Sequence, residues 1–308
     1  MLVRVLGTIA ILALLAGCTP SNSGAQDPDG AIGIDQYATI PVGDLTRSYL
    51  LRTPDEPDAA PRPLLIMIHG AGGNAARAEE ATGFTDAVAT NDMLVAYPNG
   101  TAANTVEGEL AWNAGACCGL ARADNVDDVA FIVAMISDIQ SKYTVDPERI
   151  YLAGYSNGGM LSYRLACERA DLFAGIAVVS GALNYTPCEP SRPLSVLIVH
   201  GTADATVPYL GGETNPRTAA RFGQWKNASV ALATEFWRTV DGCDDEPVTT
   251  SVDTLTTDVY EGCTGDSTLE VVTIADGMHV WPRLATTDVE GAALILGFFD
   301  LGPKPETE

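Results

Sequence analysis

Basic residues are scarce in this chain: 17 Lys and Arg stand against 40 Asp and Glu in 308 residues, for a net charge of −23 at pH 7. A surface of that sign repels nucleic acid and anionic lipid, so neither is an expected partner. Histidine is scarcer still. His69, His200 and His279 are the full set of three. They lie far apart in sequence, and no Cys-x-x-Cys with histidine spacing accompanies them, so no zinc motif is present and neither metal nor cofactor is expected. Long apolar runs are also missing. The run from Val5 to Leu15 falls well short of the ~20 residues that a membrane-spanning helix needs.

That short run, preceded by Arg4 and followed by small residues, is read as a signal peptide over 1–17. Its end, Leu15-Ala16-Gly17-Cys18, resembles the lipobox of bacterial lipoproteins, which implies lipid on Cys18. Ordinary secretion without lipid is the alternative, and either way the mature chain leaves the cytoplasm. Cleavage removes Arg4 and no acid, so 16 basic residues then face 40 acidic ones, a net charge of −24. Membrane contact is expected through the lipid anchor only. Residues 18–36, rich in Ser, Gly, Pro and Asp, read as a flexible linker. Six cysteines remain beyond Cys18, an even number in a compartment that permits disulfides. Cys243 with Cys263 and Cys167 with Cys188 are the favoured pairs, leaving Cys117 and Cys118 for an adjacent-residue bond or as free thiols.

Apolar, β-prone runs at 64–68, 93–97, 150–153, 174–181 and 194–199 alternate with helical patterns at 75–90, 126–143 and from Met160 onward. Such alternation predicts an α/β fold in which a mostly parallel sheet is covered by helices on both faces. An early strand (43–53), a helix in the second half of 219–240, two closing strands (250–260, 268–274) and a last helix (289–301) complete one domain over 37–301. A tail, 302–308, follows. Asp127 and Asp128, at the start of the helix near 126, read as capping and dipole residues.

The informative stretch is Gly154-Tyr155-Ser156-Asn157-Gly158, between an apolar strand and a helical pattern. A Gly-x-Ser-x-Gly so placed is a nucleophile elbow, which holds a serine hydroxyl on a strained strand-to-helix turn. Serine needs a base, and the base needs an acid to fix its tautomer. In the α/β-hydrolase order, serine is followed by acid and then histidine. That order selects His279, in the loop before the last helix, over His200, which stands at a strand end. Asp204 is the acid favoured, because it lies just past the carboxyl end of the strand 194–199, where α/β active sites gather. His200 and His69 are read as turn and packing residues. The oxyanion formed by attack needs two backbone N–H donors, assigned to Asn157 and, in the loop His69-Gly-Ala-Gly-Gly73, to Ala71. That loop lacks the Lys-Ser/Thr of a phosphate-binding loop. Gly265-Asp-Ser-Thr-Leu269 has the look of a second esterase motif, but it sits too near the C-terminus and is read as a turn.

His69-Gly-Ala-Gly-Gly73, Trp112-Asn-Ala-Gly-Ala-Cys-Cys-Gly119 with Val126-Asp-Asp-Val129, Gly154-Tyr-Ser-Asn-Gly158, His200-Gly-Thr-Ala-Asp204 with Val207-Pro-Tyr209, and His279-Val-Trp-Pro282 together resemble the polyhydroxybutyrate depolymerase and feruloyl esterase family, which overlaps carbohydrate esterase family 1. The resemblance covers about residues 37–300. It implies an α/β-hydrolase fold and a triad on Ser156, Asp204 and His279, in agreement with the order argument. Members often carry Gly before the histidine and after Trp-Pro, where this chain has Met278 and Arg283, so the rim and its acyl preference stay open. Trp112 and Trp281 are candidates for the substrate pocket, although core packing is the favoured role for each. The expected function is an exported serine esterase acting on small-molecule or oligomeric esters through an acyl-enzyme. A serine peptidase of the same fold and a non-catalytic surface-binding lipoprotein are the alternatives. With no adsorption module beside the catalytic domain, soluble esters are expected over solid polymer. Oligomeric state is left open.

Overall fold

The computed structural model describes residues 36–54, 60–283 and 290–302. The expected signal peptide, Cys18, the linker up to residue 35 and the tail from 303 lie outside the described residues. Ten strands form one sheet. In chain order these are β1 (Gln36–Val42), β2 (Leu45–Arg52), β3 (Arg62–Ile68), β4 (Leu94–Pro98), then, after a two-residue ribbon of β5 (Thr101–Ala102) and β6 (Leu110–Ala111), β7 (Val145–Tyr155), β8 (Gly175–Val179) and β9 (Ser195–Gly201). A second small ribbon, β10 (Gly212–Glu213) with β11 (Lys226–Asn227), precedes β12 (Val248–Val252), β13 (Leu255–Tyr260) and β14 (Leu269–Ile274). The large sheet runs β1-β2-β4-β3-β7-β8-β9-β14-β13-β12. Its six central strands, β4 to β14 in that order, are parallel, and an antiparallel hairpin closes each edge.

Helices α1 (Ala75–Thr82), α2 (Asp86–Asn91), α3 (Gly119–Ala123), α4 (Asp128–Gln140), α5 (Asn157–Arg169), α6 (Pro216–Phe222), α7 (Val230–Asp241) and α8 (Gly291–Phe298) complete the layers. All seven residues of β3 are buried. Successive side chains in a strand point to opposite faces, so Leu64, Ile66 and Ile68 join one core with residues of α4, α5 and α7, while Leu65 and Met67 join a second with α1, α2 and α8. This two-sided burial is why the central strands read as unbroken apolar runs.

Several boundaries differ from the sequence reading, each for a local reason. The helix expected over 75–90 is two helices, because Gly83 takes a left-handed conformation (φ 73°) and closes α1 by donating its N–H to the Glu79 carbonyl. The strand expected over 250–260 is a hairpin that turns at Asp253, where φ is also positive. The early strand is preceded by a partner, β1. In the segment 216–240 a short helix with Pro216 in its first turn stands before the expected one. Asp127 does cap α4, accepting the Ala130 N–H at 2.9 Å. Asp128 is different from the expectation. It is fully buried, held by Arg47 at 2.7 Å and by the Asn113 backbone N–H at 2.7 Å. Burial pushes its carboxyl pKa up, against the pull of Arg47. The three disulfides are Cys117–Cys118, Cys167–Cys188 and Cys243–Cys263.

Candidate active site

Ser156 joins β7, at the middle of the sheet, to α5, with φ 55° and ψ −120°. A non-glycine residue in that region costs on the order of 1–3 kcal/mol, which the surrounding packing must over-determine. The packing here is tight enough. A Cβ on Gly154 would come within 2.5 Å of the Gly158 carbonyl, and one on Gly158 would overlap the Ile68 carbonyl at the end of β3. Both motif glycines are therefore demanded by backbone approach, not by flexibility. The Ser156 N–H is tied to the Val179 carbonyl of β8 at 2.8 Å, so the hydroxyl projects from a fixed turn.

Asp204 and His279, 75 residues apart, meet because their loops leave neighbouring parallel strands. β9 and β14 pair with Thr273 opposite His200 and Ile274 opposite Gly201. Beyond the strand ends the loops are stitched together: Ala203 N–H donates to the Gly277 carbonyl at 2.9 Å, and Asp276 N–H donates to Thr202 Oγ1 at 2.8 Å. His279 Nε2 then lies 2.9 Å from Ser156 Oγ, and its Nδ1 lies 2.7 Å from Asp204 Oδ2. Asp204 is buried. Its Oδ1 accepts the backbone N–H groups of Thr206 and Val207, both at 2.8 Å. Burial alone would raise its pKa, but hydrogen bonds from His200 and His279 and from the Val207 N–H outweigh burial and hold the carboxyl well below the usual range.

His200 was expected only as a turn or packing residue, and the structure gives it more. Its Nε2 sits 2.8 Å from the Val207 carbonyl and 3.4 Å from Asp204 Oδ2, so it buttresses both the Asp204 carboxylate and the loop that carries it. The four-residue spacing of His200 and Asp204 across a strand end was the available signal. Tyr155 was also missed. Its hydroxyl donates to the His279 carbonyl at 2.9 Å and its ring lies 5.1 Å from the His279 ring. His69 packs and bridges: Nδ1 is 2.8 Å from the Gly70 carbonyl, and Nε2 accepts the Gly100 N–H at 3.1 Å. Those partners assign the proton to Nδ1. Burial pushes its pKa down to about 4, so it stays neutral.

Ala71 and Asn157 both border the cleft that holds Ser156. In the loop after β3, Gly72 N–H is spent on the Leu110 carbonyl and Gly73 N–H on the Gly70 carbonyl, which fixes the peptide of Ala71 between them. Asn157 is held by its side chain, which accepts the Trp112 N–H at 2.8 Å and donates to the Trp112 carbonyl at 3.1 Å. This clamp gives Trp112 the core-packing role favoured for it and removes it from the pocket candidates. It is fully buried, stacked on Phe131, with its indole N–H donated to the His69 carbonyl at 2.8 Å; it lies behind the cleft and does not line it. Trp281 is also off the cleft. It packs edge-on against Phe84 and Tyr155 and borders a separate hollow beside α1.

The cleft itself has a volume of about 330 Å³ and is walled by Met160, Val207, Phe222 and Trp225, with Arg217 and Arg221 on α6. A wider groove of about 750 Å³ around Leu210 and Leu232 contains none of Ser156, Asp204 or His279. The smaller cleft is the one bordered by Ser156 and His279. No group of His, Cys, Asp and Glu suited to hold a metal occurs among the described residues.

Parallel sheet, strand-to-helix serine and helices on both faces define the α/β-hydrolase fold, and the protein is a carboxylic ester hydrolase of that fold. Residues 47–208 match the family described as esterase, PHB depolymerase, and the chain belongs to it. A protein of Nocardia uniformis subsp. tsuyamanensis that bears an esterase name, NocK, is 31% identical over 89% of this chain and 88% of its own length. Feruloyl esterase B of Piromyces equi is 32% identical over 70% of this chain, which spans 39% of that longer protein. Among solved structures, acetyl xylan esterase from Aspergillus awamori superposes with a TM-score of 0.60 at 15% identity, over 87% of this chain and 100% of the other. A ferulic acid esterase from Anaeromyces mucronatus, in complex with ferulic acid, superposes with a TM-score of 0.51 at 12% identity, over 87% and 94%.

Proposed function

We propose that this esterase works through an acyl-enzyme on Ser156, with His279 as general base and Asp204 as the acid that orients it. The observation that carries this reading is the unbroken line of 2.9 Å and 2.7 Å contacts from Ser156 Oγ through the His279 ring to Asp204. Asp204 stays ionised, so His279 Nδ1 keeps its proton and Nε2 is free to take the serine proton during attack on the ester carbonyl. The resulting oxyanion falls to the backbone N–H groups of Ala71 and Asn157, donors held in place before the charge develops. His279 then protonates the departing alcohol. Water, deprotonated by the same ring, releases the acid. The test is labelling by a fluorophosphonate probe. Modification of Ser156 together with loss of ester turnover in Ser156→Ala by ~10³ or more supports the mechanism, and more than about a tenth of wild-type activity in that variant would falsify it.

A cleft of about 330 Å³ is at the small end of ligand sites. It suits one acyl or aryl group with the start of an alcohol, so soluble feruloyl, acetyl or hydroxybutyrate esters are the proposed substrates, ahead of solid polymer. Methyl ferulate, acetylated xylo-oligosaccharide, hydroxybutyrate trimer and a polyhydroxybutyrate film, compared at equal ester content, rank them. Clearance of the film as fast as hydrolysis of the trimer would refute the preference. Export, with lipid on Cys18, is proposed from the leader sequence; radiolabelled fatty acid entering the wild type but not Cys18→Ser would support it, and equal incorporation would refute it.

A further inference from the structure

Forty of 308 residues are acidic, yet none of the sixteen residues that border the catalytic cleft is Asp or Glu. Two are arginines, from a chain that has only 17 basic residues in all. The two differ in state. Arg221 is spent: Nη2 is 2.5 Å from Glu109 Oε1, an ion pair that ties α6 to the turn just before β6. Arg217, one turn earlier on the same helix, is exposed, and its guanidinium makes no ion pair or hydrogen bond with any described residue. Seven other arginines, Arg221 included, are each paired with a carboxylate. A free guanidinium in so acidic a molecule, at a cleft that holds the Ser156 hydroxyl and has no carboxylate in its lining, marks a place where an anion is wanted.

We propose that Arg217 receives a carboxylate carried by the substrate, so that the preferred esters are anionic ones with a free acid group remote from the scissile bond. This inference rests on Ser156 being the nucleophile. Arg217 is a specificity-determining residue and takes no part in bond making. A guanidinium matches a carboxylate with two parallel hydrogen bonds, which fixes orientation as well as charge. The acidic outer surface disfavours any anion at long range, but over a Debye length of about 8 Å that repulsion is screened, and the local field in the cleft decides binding.

The carboxylate could sit on the acyl or the alcohol side, and two matched pairs separate these. One compares 4-nitrophenyl hemiadipate with 4-nitrophenyl hexanoate. The other compares 3-butyryloxybutanoate with 3-butyryloxybutanamide. In at least one pair, Arg217→Gln should lower the ratio of kcat/KM for the acid over its neutral twin about tenfold, chiefly through KM, and Arg217→Lys should restore much of it. The pair that responds identifies the side. Hydrolysis of the neutral twins with ratios unchanged within about twofold in both pairs would overturn the role of Arg217 while leaving the nucleophile intact. Failure of the wild type to turn over any of the four esters would overturn both.

Discussion

Gly201 lies so close against Gly277 that a Cβ on Gly201 would overlap the Gly277 carbonyl. These glycines sit at the exits of β9 and β14, and their contact lets the Asp204 and His279 loops share hydrogen bonds. The placement of Asp204 and His279, the proposed acid and base, is thus set by a backbone-to-backbone approach before either side chain is considered.

Gly201→Ala should therefore separate Asp204 from His279 by a fraction of an ångström to an ångström. Misplacement on that scale costs about 10²-fold in turnover. The expected outcome is a kcat about 10² lower, with circular dichroism of the folded protein retained. A variant that keeps near wild-type kcat would show that the loops are held by other means.

His200→Ala separates a positioning role from a catalytic one. It leaves the buried Val207 carbonyl without its partner, at a cost of about 1–3 kcal/mol, and removes the 3.4 Å contact to Asp204. Stability should fall by that amount in urea titration and kcat by about tenfold, against ~10³ or more for His279→Ala. Equal losses for the two variants would contradict the assignment of the base.

Asp204→Asn keeps an acceptor for the Thr206 and Val207 N–H groups but turns an amide donor toward His279 Nδ1. The wrong tautomer is then favoured, and kcat should drop by about 10⁴ with little change in the loop. The linkage also has a definite sign. A carboxyl whose folded pKa is depressed stabilises above its unfolded value and loses that stabilisation as pH falls through the folded one. The variant should therefore be less stable than the wild type at pH 7, and the gap should close toward pH 2. A gap that is constant with pH would argue against the depressed carboxyl.

Asp241, at the end of α7, runs the opposite way. Burial pushes its pKa up to about 6, despite the Leu194 N–H donated to its Oδ1 at 2.9 Å. A raised carboxyl favours the fold only while protonated, so its contribution declines as pH rises from about 4 through 6. Asp241→Asn should gain on the wild type by a few degrees in Tm between pH 4.5 and pH 8. Parallel melting curves across that range would refute the shift.

Cys167–Cys188 and Cys243–Cys263 each close a loop, with separations of 21 and 20 residues. Loops of that length restrict the unfolded chain by about 3 kcal/mol apiece. Paired Ser substitutions at either bridge should lower unfolding free energy by roughly that much, and an unchanged urea midpoint would show that the bridge does not stabilise the fold.

Much of this molecule was legible in the sequence because it depends on neighbours along the chain. The buried parallel strands announce themselves as runs such as Leu64 to Ile68, since both faces are covered. The elbow is legible because Gly154 and Gly158 answer to backbone contacts that no side chain could share. Chain order selected His279 and the end of an apolar strand selected Asp204, and the structure brings the two within 2.7 Å of each other. What tertiary structure decided are relations between segments. Asp128 looks like any first-turn acid until Arg47, from another strand, is seen to bury it. For Trp112 the sequence left pocket wall and core packing both open, and the Asn157 side chain and the His69 carbonyl decide for the core. His200 and Arg217 follow the same rule, one committed to Asp204 and the Val207 carbonyl, the other uncommitted in a cleft without carboxylates. Local φ/ψ and periodicity are written residue by residue, whereas burial and charge pairing exist only once distant strands have set which side chains share a space.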